Sequence, residues 1–234
     1  MWWWMAAVAL ADEPCTFVGL SDIVAVPAPA VVVLGERFGH AADLGRARAV
    51  VKALGRDTKV RVALGSVDDK FQRLLDGAAE GQIAVDSLPE LMDWESTWGF
   101  DWKAYAPLVT TALGAGQVIA AGVGYGPRPP DQATPLPPRY LEVLRGGMGG
   151  FEVPPGSESR LVQAVAWRDY RTAELALQGW DQQGYLVVVV GRDQVEGAKG
   201  VAWQLERQTT VPVSAVVLKA GREPRCLPGD RLWK

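Results

Sequence analysis

Five short apolar runs, at 31–34, 59–64, 117–123, 186–190 and 211–218, recur along the chain and are rich in Val, Ile and Leu. Such runs predict buried strands. The segments between them carry apolar residues at three- and four-residue spacing, which predicts helices. Asp43 reads as the cap of a helix reaching about Leu54. Its Leu44, Ala47, Val50, Val51 and Leu54 share one face, and Gly55 stops it. Further helices are predicted over 69–79, after Ser87, over 102–113 with a bend or interruption at Pro107, from Ser157 to about Gln178, and over much of 197–208. The strand at 186–190 is apolar throughout, as expected of a central strand covered on both faces. This alternation predicts an α/β fold: a mostly parallel, five-stranded sheet flanked by helices.

A chain of 234 residues suits one domain, and 48% hydrophobic residues supply a core. The net charge of −3 and the scattered Lys and Arg argue against a nucleic-acid partner. His40 is the only histidine, so metal sites and catalytic triads that need a second imidazole are beyond a monomer. Residues 1–11 are apolar, and Ala9-Leu10-Ala11 fits a small-x-small cleavage site, so 1–11 is expected to be a signal segment and 12–234 a single domain. Eleven residues are too few to span a bilayer, and any membrane association would be through this N-terminus. On this reading the protein is exported, to the periplasm or cell envelope. Cys15 and Cys226 lie near opposite ends. An oxidising compartment would let them pair, and two unrelated thiols are the other reading. The Gly- and Pro-rich stretch 124–138 and the glycines at 146–150 predict irregular connections.

Four large aromatics, Trp94, Trp98, Phe100 and Trp102, fall within nine residues, followed by Tyr105 and Pro107. Physically this predicts a small helical cap whose aromatics are largely buried. The spelling W-x-x-x-W-G-F-x-W-x-x-Y-x-P-L resembles a motif of the ChaN-like family, which is associated with haem binding and iron uptake. That family is grouped with the Tiki proteases and the erythromycin esterases. Phe71, Leu75 and Asp76, Gly81-Gln82-Ile83, and Gly200-Val201 with Leu205 fit further family patterns. Gln163, Trp167 and Asp169 echo another loosely.

In an open parallel sheet ligands gather beyond the carboxyl ends of the strands. Those ends supply Glu36, His40, Asp68, Tyr125, Arg192 and Asp193. Against the family pattern, Gly35 and Glu36 match, while Phe38 and Gln194 stand where the family carries histidines. The resemblance therefore implies a divergent member lacking those histidines. It implies haem as cofactor. Their strand-end positions place Glu36, His40, Tyr125, Arg192 and Gln194 around the ligand, with His40, two residues past the family's position, as the iron donor, or Tyr125 through its phenolate. A small-molecule ligand other than haem, and a homodimer sharing it, are compatible with the same resemblance. The alternatives are a hydrolase using Glu36 and His40 as acid and base, and an interaction module with no ligand.

Overall fold

A computed structural model describes residues 15–124, 134–137, 140, 157–197, 199–219 and 230–233. The expected signal segment, Tyr125, the glycines at 146–150 and Cys226 lie outside the described residues. Cys15 is disulfide-bonded.

The strands are β1 (Thr16–Phe17), β2 (Ala30–Glu36), β3 (Val60–Asp68), β4 (Gly116–Gly122), β5 (Tyr185–Gly191), β6 (Val213–Leu218) and β7 (Arg231–Trp233). They form one sheet in the order β1-β7-β6-β2-β5-β3-β4, and every pairing is parallel. The sheet thus has seven strands rather than the five expected. The five apolar runs are β2 to β6. The two additional strands are two and three residues long, too short to show a periodic pattern.

The helices are α1 (Leu20–Val24), α2 (Ala41–Leu54), α3 (Gln72–Ala79), α4 (Leu88–Leu91), α5 (Trp94–Trp98), α6 (Ala106–Ala115), α7 (Glu158–Gln178) and α8 (Val201–Gln208). Alternation within the strands divides the core into two layers. Val32, Leu34, Val62, Leu64, Val187 and Val189 pack against α2 and α6. Val31, Val33, Ala63, Val188 and Val190 pack against α7 and α8. Both faces of the central strands are therefore covered, as a fully apolar β5 requires. The connections after β2 and β3 pass to the first face and those after β4 and β5 to the second. Neighbouring strands whose connections part in this way leave a crevice at their carboxyl ends.

Helix α2 begins three residues earlier than the sequence suggested. His40 is the residue preceding it, and Asp43 sits inside the first turn, fully buried. Asp43 is held there by the preceding loop: its Oδ2 accepts from the Arg37 backbone N–H at 3.3 Å and from Arg37 Nε at 3.1 Å. That tertiary bond replaces the local cap the sequence predicts.

The outer edge of β4 is closed by one side chain. Gln72 donates its amide N–H to the Val118 carbonyl at 3.0 Å and accepts from the Ala120 N–H at 2.7 Å. The amide thus mimics the peptide of a neighbouring strand and blunts an edge that would otherwise invite pairing. Gln72→Ala is expected to lower stability by about 1–3 kcal/mol and to promote self-association. Urea denaturation and sedimentation velocity check the two effects, and an unchanged midpoint would show that water satisfies this edge equally well.

Segment 85–115 forms the expected aromatic cap. Trp94 is its centre, 2% exposed, with the rings of Trp98, Phe100, Trp102 and Tyr105 at centroid distances of 6.1, 5.5, 4.9 and 5.2 Å. Its indole N–H donates to the Phe100 carbonyl at 3.0 Å. Trp94 and Trp102 are buried as expected, whereas Trp98 and Phe100 are only half-buried. Gly99 makes the turn between them at φ +65°, a conformation side-chain-bearing residues rarely adopt. Pro107 lies in the first turn of α6, where its missing N–H costs no intrahelical bond.

Candidate functional site

Glu36 is the last residue of β2 and is in register with Gly191, the last residue of β5. Its side chain turns to the α2–α6 face and is 1% exposed. The Tyr105 hydroxyl donates to its Oε1, while Oε2 has no partner among the described residues. Burial pushes the Glu36 carboxyl up to about 7; the Tyr105 bond opposes this and the nearby Asp43 charge adds to it. Burial likewise raises the Tyr105 phenol, with the Glu36 charge next in importance. The buried Ser66 hydroxyl close to Tyr105 makes no well-aligned bond. Near neutral pH this carboxyl is therefore only partly ionised, and among the described residues its Oε2 has no partner.

His40 lies on the adjoining turn, but its ring belongs to a separate network. Both ring nitrogens face the Arg37 guanidinium, with Nη2 at 3.1 Å from Nδ1 and 2.9 Å from Nε2. Nδ1 also lies 3.4 Å from Asp43 Oδ1. Glu36 and His40 are thus four residues apart in sequence yet engage different partners, Tyr105 for the first and Arg37 with Asp43 for the second.

Arg192 and Gln194 follow β5 at the same end of the sheet, on the opposite face from the Glu36 side chain. Arg192 pairs through Nε with Glu196 at 2.7 Å. Gln194 accepts from the Gly191 N–H at 3.1 Å and donates to Asp169 of α7 at 2.8 Å. Asp169 also accepts from the Tyr140 hydroxyl. Burial pushes Asp169 up to about 7, partly offset by these two bonds, and burial also raises Asp193. The four predicted residues that are described thus do not form one cluster of side chains. Glu36, His40, Arg192 and Gln194 sit at the carboxyl ends of the central strands but divide between two faces, and Tyr125 is outside the described residues.

Phe38 lies over the end of β5, where a side chain at Gly191 would collide with its ring at 2.7 Å. It is 40% exposed and stacks on Trp98 at 5.3 Å. Beyond Trp98 opens a cleft of about 770 Å³ at the ends of β3 and β4, lined by Trp98, Trp167 and Val123, by Lys70, Arg168 and Arg171, and by Asp68, Asp69, Thr97 and Gly124. That volume lies within the roughly 300–1,000 Å³ of small-molecule sites. Of its cations, Lys70 is 3.8 Å from Asp68, and Arg171 pairs closely with Glu174 and lies 3.9 Å from Asp69. A second hollow of about 920 Å³ lies on the outside of the cap. Asp86, Glu90, Asp93, Glu95 and Asp101 line it with one lysine, Lys103. Its field would repel an anion, and it touches no strand end.

The cleft brings two indoles together with Lys70, Arg168 and Arg171, a lining suited to a flat ring that carries anionic substituents. Sequence reasoning met Trp167 and Tyr105 only as parts of family patterns and missed Lys70, Arg168 and Arg171. The tyrosine could be anticipated because Glu36 ends an apolar strand, so its carboxyl needs a buried partner. The two arginines carried no such signal, since charged residues on a long helix usually face water.

Residues 24–125 match a family described as haem-binding uptake, Tiki superfamily, ChaN. The chain also resembles the solved structure titled "Cofacial heme binding to ChaN of Campylobacter jejuni", with 17% identity, 82% of each chain covered and a TM-score of 0.63. At that identity the likeness concerns the fold. A structure of the type III effector HopBA1 aligns at 16% identity over 82% of this chain and 79% of the effector, with a TM-score of 0.42. No curated protein matches the chain.

Proposed function

We propose that this chain, ChaN-like over residues 24–125, binds haem or a related planar, carboxylate-bearing ligand in the cleft beyond β3 and β4. The observation carrying this reading is the composition of the cleft wall: the indoles of Trp98 and Trp167 beside Lys70, Arg168 and Arg171, at the end of the sheet where α/β folds take ligands. The residues present fit the body of such a ligand. The indoles would cover its apolar faces, and the cations would pair with its carboxylates. Bound haem would supply a redox-active iron; the chain's own residues shield the ring and orient its charged edge.

The acid–base alternative needs Glu36 and His40 on one reacting atom, and their separate partners do not favour it. In the same reading the protein works outside the cytoplasm. The apolar segment 1–11 and the disulfide at Cys15 support this, because disulfides persist in oxidising compartments. Among the described residues no helix is long and apolar enough to cross a membrane.

Haemin titration followed by Soret absorbance tests the reading. Saturable binding is expected, weakened about tenfold or more by Arg171→Glu, which puts a negative charge where the cleft offers a positive one. A linear, non-saturating response would contradict it, as would saturable binding indifferent to that reversal.

A further inference from the structure

We infer that the cleft recognises the ring and carboxylates of a tetrapyrrole and not its metal, so that an iron-free porphyrin is as good a ligand as haem. The inference rests on the proposed ligand class and narrows it.

Among the described residues, the side chains near the strand ends that could ligate iron are already committed. Both nitrogens of the His40 ring lie within 3.1 Å of Arg37 Nη2. Arg37 is itself anchored on the buried Asp43 through Nε at 3.1 Å. Iron ligation by His40 would have to displace that guanidinium. The Tyr105 hydroxyl is spent on Glu36, and the Tyr140 hydroxyl on Asp169; both rings are buried. Gln194 uses its oxygen for the Gly191 N–H and its nitrogen for Asp169. Phe38, the other strand-end residue, stacks on Trp98 and can donate nothing to a metal.

The cleft wall agrees. Among the described residues lining it there is no imidazole, phenolate or thioether, the donors that hold haem iron most often. It offers two indoles and three cations instead. Those contacts read shape and charge, which metallated and metal-free rings share. A planar ring with two carboxylates satisfies them whatever its centre holds.

The experiment compares haemin with iron-free protoporphyrin IX on the full chain, reading tryptophan fluorescence quenching, with His40→Ala and Trp167→Ala as variants checked for folding by circular dichroism. The expected result is dissociation constants within about threefold for the two ligands. His40→Ala should leave both unchanged, and Trp167→Ala should raise both by about tenfold. Haemin binding a hundredfold or more tighter than the iron-free ring would overturn the inference and leave the proposed ligand class standing. Failure of both ligands to bind would remove the ligand class and the inference together. Should Trp167→Ala not fold, Arg171→Ser provides the same test, weakening both ligands in parallel.

Discussion

Trp94→Ala is expected to destabilise the protein by about 3–5 kcal/mol, the range for truncating a closely packed aromatic. Trp94 is 2% exposed and touches four other aromatic rings at centroid distances of 6.1 Å or less. Its removal leaves a cavity that rigid rings cannot close. It also leaves the Phe100 carbonyl without the indole N–H, and a lost bond of this kind costs about 1–3 kcal/mol where water cannot replace it. The loss would reach the site as well, because Tyr105 packs on Trp94 and bonds Glu36. Trp98→Ala should cost less, since Trp98 is only half-buried. Urea denaturation of the two variants measures both. A cost below about 1 kcal/mol for Trp94 would show the cap to be loosely docked on the sheet.

Stability is expected to fall as pH rises from about 5 to 8. Glu36 and Asp169 keep their protons up to about pH 7 in the folded chain, whereas in the unfolded chain they ionise near 4. The folded state therefore binds more protons across this window. The stability these groups contribute is fully present below the unfolded values and is lost as pH climbs through about 7. At about 1.4 kcal/mol per pH unit between the two midpoints, each carboxyl accounts for roughly 3–5 kcal/mol. The lowered Asp181 acts in the opposite direction but only below its ordinary value of 3.8, outside this window. Glu36→Gln keeps an acceptor for Tyr105 and cannot ionise, so it should flatten the decline and surpass the wild type above pH 7. Denaturation midpoints at pH 5 and pH 8 for both proteins check this. A wild type that gains stability with rising pH would contradict it.

The parallel sheet was legible because β2 and β5 are buried on both faces, and only continuous apolar runs fit such strands. Strands β1 and β7 were not, since two or three residues carry no period. The helix face of Leu44, Ala47, Val50, Val51 and Leu54 was read correctly, and all five are buried. The start of that helix was misread because Asp43 is tied down by Arg37, a contact that helix propensity does not reveal. At the site, Glu36 was found from its place at a strand end. Its partner Tyr105 lies 69 residues away, and pairing over that distance depends on topology. The cleft itself was hidden for the same reason: Lys70, Trp98 and Trp167 come from three distant segments that meet only once the sheet has formed. The sequence read Glu36 and Gln194 as one cluster because both follow strand ends. The pleat decides otherwise, since Glu36 turns to one face while Gln194 bonds a helix packed on the other.

The most direct test of this account is a crystal structure of the full chain grown with protoporphyrin IX. The account predicts ring density against Trp98 and Trp167, its carboxylates directed at Lys70, Arg168 or Arg171, and His40 still bonded to Arg37. A ring seated in the acidic hollow outside the cap, or held at His40 with the Arg37 contact broken, would contradict it.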